Sequence, residues 1–158
     1  MASELQTELK QSKPFASSEE ELILNLKRTA SLLEHESAMF FKKHDLSSSQ
    51  YNILRITTGA GKQGLTCSEI RARMVTRVPD VTRLIDRLID KGLVTRHSDS
   101  HDRRLVLIRI TPEGKKLAEE LSPQLIAMSR SLAGHMSPAD QKELSRLLVA
   151  LRKRPDKT

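Results

Sequence analysis

Residues 79–96 read PDVTRLIDRLIDKGLVTR. Within them Val81, Leu84, Ile85, Leu88 and Ile89 fall at i, i+3, i+4, i+7 and i+8, the spacing of one apolar helix stripe. Pro79 suits a first helical turn and Gly92 stops the run, so the spacing predicts a helix over 79–91. The opposite side carries Asp80, Arg83, Arg87 and Asp90. One side of such a helix packs on its domain, while the arginine-bearing side is left for a partner.

The neighbouring segments extend this reading. Upstream, Thr66 with Glu69 three residues on has capping-box spacing and predicts a short helix over 67–74. Two short helices joined by a tight link, the second basic, form a helix-turn-helix pattern. Downstream, the extended run 93–95, the polar connector RHSDSHDRR (96–104) and the β-branched run LVLIRIT (105–111) predict a hairpin, placed where a wing would be. Ser17 or Ser18 with Glu20 or Glu21 opens a helix over 18–43. Ser47 with Gln50 opens another over 48–57, closed by TTGAGKQG (57–64), whose three glycines argue against a helix interior. Thr111 followed by Pro112 starts a helix over 112–133, bent at Pro123. Ser137 with Pro138 starts a last one, carrying Leu144, Leu147, Leu148 and Leu151. The polar first 17 residues, with Pro14, read as a flexible arm.

At 158 residues the chain fits one domain, and 37% hydrophobic residues suffice for a core. Its 30% charge, absence of Trp and only four Phe plus Tyr suggest thin helical layers, with apolar stripes on the first and last helices that call for a second copy. No stretch approaches the roughly 18 apolar residues of a membrane span, and the N-terminus MASELQTELKQSK lacks the apolar region of a secretory signal, so a cytoplasmic protein is expected. One cysteine, Cys67, and five histidines (35, 44, 97, 101 and 135), of which only His97 and His101 stand four apart and those in the polar connector rather than on a helix, suggest no metal site, and no cofactor motif is present. No nucleophile-and-base motif occurs, so no enzyme is expected.

The net charge of +7 is concentrated. Residues 71–116 hold twelve basic side chains against six acidic ones, and nine of the twelve are arginine (71, 73, 77, 83, 87, 96, 103, 104 and 109). Arginine's planar fork pairs with phosphate or a guanine edge in bidentate fashion, so the concentration points to nucleic acid as the partner.

The order of elements, with VTRLIDRLIDKGLVTR (81–96), the Asp-x-Arg at Asp102 and Arg104, and ITPEGKKL (110–117), resembles the MarR family of bacterial transcriptional regulators. LSSSQYNIL (46–54) and LTCSEIRARM (65–74) are similar to the two helices that precede the family's recognition helix. The resemblance covers about 18–153. It implies a mainly α fold with a small β-hairpin wing: a winged helix-turn-helix lobe over 46–111, flanked by dimerisation helices over 18–45 and 112–154. It implies a homodimer that binds double-stranded DNA at a pseudo-palindromic operator, usually as a repressor relieved by a small-molecule effector or by oxidation. The competing reading is a winged-helix adaptor that binds protein and not DNA.

On that resemblance, Arg77 and Arg83 are assigned to bases or adjacent phosphates, Thr82 to a phosphate or a thymine methyl, and Arg87 to the DNA backbone. An intrahelical pair with Asp86 or Asp90 is the alternative for Arg87. Asp80 either accepts from a cytosine amino group or serves the helix N-terminus. Asp102 is carried over as the brace of Arg104, which enters the minor groove, with Arg103 on phosphate. Thr66 and Ser68 are candidate phosphate contacts, although capping accounts for Thr66 equally well. Cys67 is either a buried small hydrophobe or a redox sensor. His35 and His44 are surface residues or ligand-pocket linings, and a stacking surface for an aromatic effector would come from Phe40, Phe41 or Tyr51.

Overall fold

A helix leaves its first backbone N–H groups without partners, so its start is set by the side chain that can accept from one of them. The computed structural model describes residues 3–99, 102 and 104–153. In it Ser3, Ser17, Ser47, Thr66, Asp80, Thr111 and Ser137 each accept from the N–H three residues on. The helices so started are α1 (Glu4–Glu8), α2 (Ser18–Lys42), α3 (Ser48–Ala60), α4 (Cys67–Arg73), α5 (Val81–Asp90), α6 (Pro112–Ala133) and α7 (Pro138–Arg152). A 3-10 turn, Gly61–Gln63, follows α3. Strands β1 (Val94–Ser98) and β2 (Val106–Ile110) pair antiparallel, Val94 opposite Ile110 and Ser98 opposite Val106. The architecture is the mainly helical winged helix that the sequence predicts.

Four local readings need correction. Helix α3 runs on through Gly59, because nothing packs near that exposed glycine and the Thr57 and Thr58 hydroxyls bond back to Ile53 and Leu54 carbonyls at 2.9 and 2.7 Å. The chain leaves the helix only at Gly61, at φ +60°. Helix α5 starts at Val81 rather than 79, since the Asp80 carboxylate holds the N-cap position and Pro79 lies outside the helix. Strand β1 extends through Ser98, because Ile108, Leu107 and Val106 supply partners for Arg96, His97 and Ser98, leaving a shorter connector over 99–105. The arm expected to be unstructured contains α1, which buries Leu5 to 3% exposure and is tied to α2 by a 2.8 Å bridge from Arg28 Nε to Glu8.

Helix α3 is central, touching α2, α4, α5, α6 and β2. Its Ile53 and Leu54 are fully buried among Ile70 of α4, Ile85 and Leu88 of α5, Ile108 of β2 and Leu121 of α6. Each such side chain contributes roughly 1.5–3 kcal/mol by leaving water. The hairpin is joined to this core by a contact that sequence gives no sign of. Leu65, just before α4, exchanges two backbone hydrogen bonds with Ile108, at 3.0 and 2.8 Å, on the edge of β2 away from β1. By contrast, α7 buries no residue and exposes Leu144, Leu147, Val149 and Leu151, while α2 exposes Leu22, Ile23, Leu32, Leu33 and Met39.

Tyr51 connects α3 to α6 through a 3.4 Å hydrogen bond from its hydroxyl to the Ala118 carbonyl. Burial pushes the phenol above its ordinary value, against smaller lowering effects of Arg55 and Ser122. Stability is therefore full below about pH 10 and falls as pH rises through the folded value, because the unfolded chain releases this proton first. Tyr51→Phe is expected to cost about 1 kcal/mol at neutral pH. It should also flatten the alkaline loss of stability, a difference read by urea unfolding on either side of the phenol range.

Candidate nucleic-acid interface

Helices α4 and α5 form the helix-turn-helix, and their packing decides which side chains stay in solvent. Val81, Ile85 and Leu88 enter the core, leaving Thr82, Arg83 and Arg87 exposed on α5. The turn before α5 is fastened to α3 by Asn52, whose Oδ1 accepts from Val75 N–H at 2.9 Å. At the other end, Arg96 of β1 pairs with Asp86 of α5. That pair takes one of the two acids that could have neutralised Arg87, and Arg87 makes no ion pair with Asp90 either. Among the described residues Arg77, Arg83, Arg87 and Arg104 are all exposed and free of ion pairs.

The structure separates the candidate residues by how their polar atoms are used. Asp80 accepts from Arg83 N–H at 2.9 Å, a helix-start role. Asp80→Ala is expected to lower stability by about 1 kcal/mol and Asp80→Asn by only a few tenths, measured by thermal unfolding. The Thr66 hydroxyl accepts from Glu69 N–H at 3.2 Å and donates to the Glu69 carboxylate at 2.9 Å, which also takes Thr66 N–H at 2.8 Å. These bonds, the backbone one first, hold the Glu69 carboxyl below the usual carboxylate range. Thr66 is thus engaged in capping, while Ser68 beside it stays exposed. Cys67 is half-buried, with its Sγ 3.5 Å from Thr82 Oγ1, so the start of α4 touches the first turn of α5.

In the wing, Asp102 accepts from Arg104 N–H at 2.9 Å, and its own N–H donates to Asp99 Oδ1 at 2.8 Å. The brace expected from sequence therefore acts on Arg104's main chain and leaves its side chain exposed. Arg103 lies outside the described residues. Arg77 sits in the turn before α5, beside a depression shared with Arg71 and Met74, whereas Arg87 lines a cavity of about 470 Å³ with Lys42, Asp45 and Lys91 at the α2–α3 corner. Among the aromatic candidates, Phe41 and Tyr51 stack in the core at 5.0 Å, and Phe40 and His44 lie half-buried beside them at 5.1 Å; His35 is exposed on α2.

Asn52, Leu65 and the Asp86–Arg96 pair position this surface and were not singled out by sequence. Each acts across the fold, so no local spacing marks it. No group of three or more His, Cys, Asp or Glu among the described residues is placed to hold a metal ion. No helix there is long and apolar enough to cross a membrane.

Comparison with known proteins gives consistent results. The sequence model of the MarR family matches residues 44–105. The solved MarR transcription factor of Planctomyces limnophilus is 34% identical, aligned over 86% of this chain and 98% of that one, with a TM-score of 0.66. The S. aureus MepR–DNA complex shares the fold at 24% identity and a TM-score of 0.71, over 80% of this chain and 93% of that one. The HTH-type transcriptional repressor YetL of Bacillus subtilis is 29% identical over 65% of this chain, an alignment that spans 62% of YetL.

Proposed function

The chain belongs to the MarR family of transcriptional regulators, and from that premise we propose that it binds a pseudo-palindromic operator as a homodimer and represses transcription in the cytoplasm until a small ligand releases it. The observation that carries this reading is α5, with one side built into the core and the exposed Arg83 and Arg87 of its other side unneutralised. Such a helix has its positive charge ready for phosphate or a base edge. Its first turn, with Arg83, Thr82 and the preceding Arg77, enters the major groove; Arg87 rests on the backbone. Arg104 reaches the minor groove from the wing braced by Asp102, and Arg103 and Ser68 add phosphate contacts. Thr66 and Asp80 serve by holding the starts of α4 and α5.

The dimer is supported by the apolar residues that α2, α6 and α7 leave exposed in a single chain, among them Leu32, Met39, Ile126, Leu144 and Leu147. We assign 18–45 and 112–154 to dimerisation and 46–111 to the DNA-binding lobe. The DNA complex of MepR, which shares the fold, and the repressor YetL support the DNA-binding and repressor parts of this reading. In a two-fold dimer the two α5 helices meet half-sites about 10 base pairs apart. A ligand that changes their separation weakens binding by preventing simultaneous engagement.

Selection of genomic fragments with the purified protein tests the proposal. The expected result is a dyad-symmetric site, with affinity falling about 1,000-fold or more between about 50 and about 200 mM salt. Failure to enrich any site, with no affinity even at low salt, would replace this reading with the protein-binding adaptor.

A further inference from the structure

The turn between α4 and α5 carries one apolar side chain in open solvent amid basic neighbours. Val75 is 88% exposed, whereas the other large apolar side chains that stand in solvent among the described residues reach 58% at most and belong to the N-terminal arm, the long helices or the hairpin. Residues 70–79, IRARMVTRVP, contain three arginines and no acid. The nearest acids on either side, Glu69 and Asp80, have their carboxylates engaged at the starts of α4 and α5.

A single exposed apolar residue is ordinary on a protein surface. What sets Val75 apart is how it is held. Asn52 stands on α3 between the buried Tyr51 and Ile53, and its Oδ1 accepts from Val75 N–H at 2.9 Å. Met74 before it and Val78 after it are half-buried and pack against the core. Met74 leaves α4 with extended angles, φ −69° and ψ 138°, so its side chain and that of its neighbour point to opposite sides. A β-branched side chain with few rotamers is thus presented to solvent from a fixed main chain, two residues before Arg77.

We infer that Val75 is a specificity-determining residue whose methyl groups pack on the C5-methyl of a thymine in the major groove, with Asn52 as the positioning residue that fixes the turn. The inference rests on the DNA-binding function proposed above. The thymine methyl is the apolar group that base edges offer in that groove, which makes it the partner for an apolar side chain set among arginines suited to phosphate. A polar base edge pressed against Val75 would lose water without gaining a hydrogen bond, so the residue also disfavours other bases at that position.

The test uses the full-length protein and the operator obtained by genomic selection, resynthesised with thymine replaced by uracil at one symmetry-related pair of positions at a time. Each replacement removes the C5-methyl and nothing else. Fluorescence anisotropy at fixed salt should find a pair at which the parent loses about fourfold per half-site and about 15-fold for both, the worth of one methyl group leaving water. Val75→Ala should distinguish thymine from uracil there by less than about twofold, with an unchanged Tm because the side chain is exposed. Asn52→Ala should lose most of the discrimination although Val75 is still present, a ratio that a merely structural role would leave unmoved. A parent indifferent to every replacement, an operator without thymine in its half-sites, or a sensitivity that Val75→Ala retains in full at every pair would each overturn the inference, the last by giving the methyl contact to Thr82. An unchanged ratio in Asn52→Ala would overturn its positioning role. Any of these results on a specific operator leaves the regulator reading standing, whereas failure to enrich an operator removes both.

Discussion

Gly114→Ala should destabilise the protein by about 3 kcal/mol, although glycine to alanine inside a helix ordinarily gains about 1 kcal/mol. The sign reverses because Gly114, buried in the first turn of α6, lies against the backbone of the turn after α5. A Cβ there would stand 2.1 Å from the Leu93 carbonyl oxygen and 2.8 Å from Ile110 Cδ1. That carbonyl cannot retreat freely, since it accepts from Thr111 N–H at 3.1 Å. The Thr111 hydroxyl meanwhile donates to the Gly92 carbonyl at 2.8 Å and accepts from Gly114 N–H at 3.0 Å. Any shift that made room for the methyl would break this junction of lobe and long helix. Gly59→Ala is the matched control: it lies in the exposed last turn of α3 with nothing within 4 Å, and should stabilise by about 0.5–1 kcal/mol. Chemical unfolding of both variants reads the contrast. Equal effects of the same sign would show that α6 does not seat on Leu93 in this way.

Arg83→Ala and Arg104→Ala should each weaken operator binding while leaving the fold intact, because both side chains are exposed and neither makes an ion pair among the described residues. One lost base contact is worth about 1–3 kcal/mol, and the proposed homodimer would lose each contact twice, giving about 2–6 kcal/mol per substitution. The two should differ in kind. Removing Arg83 from the first turn of α5 relaxes preference at one base position in each half-site, whereas removing Arg104 from the wing acts where the minor groove distinguishes little beyond A·T from G·C. Asp102→Ala should share part of the Arg104 loss, since the 2.9 Å bond to Arg104 N–H orders the loop that presents it. Fluorescence anisotropy on the selected operator at fixed salt measures all three. Parent-like affinity in both arginine variants would sink the proposed placement of the reading surface.

The helix starts were legible in the sequence because capping is a three-residue event. Ser47 with Gln50 and Thr66 with Glu69 form the reciprocal boxes their spacing predicts, and Thr111 and Ser137 open α6 and α7 as read. The ends were harder. Helix α3 continues through Gly59 because Ile53, Leu54 and Thr57 are buried there, and that packing outweighs the local preference of one exposed glycine. Pairing partners also lengthened β1 beyond its apolar residues. Of the candidate site, the basic residues themselves were readable from charge and periodicity. Their freedom was not: whether Arg87 pairs with Asp86 depended on Arg96, which reaches Asp86 from β1.

By itself, then, the sequence determined the order of helices α2 to α7 and the hairpin, the buried stripe of α5 and the concentration of arginine over 71–116, all of them set by spacing or composition within a few turns of chain. Tertiary structure alone decided what depends on residues far apart in sequence. It seated Gly114 on Leu93, paired Leu65 with Ile108, tied Val75 to Asn52 and left the Nε of half-buried Arg109 without a hydrogen-bond partner. Such contacts form only when the chain closes its loops, and their energies depend on burial and geometry that no local pattern encodes.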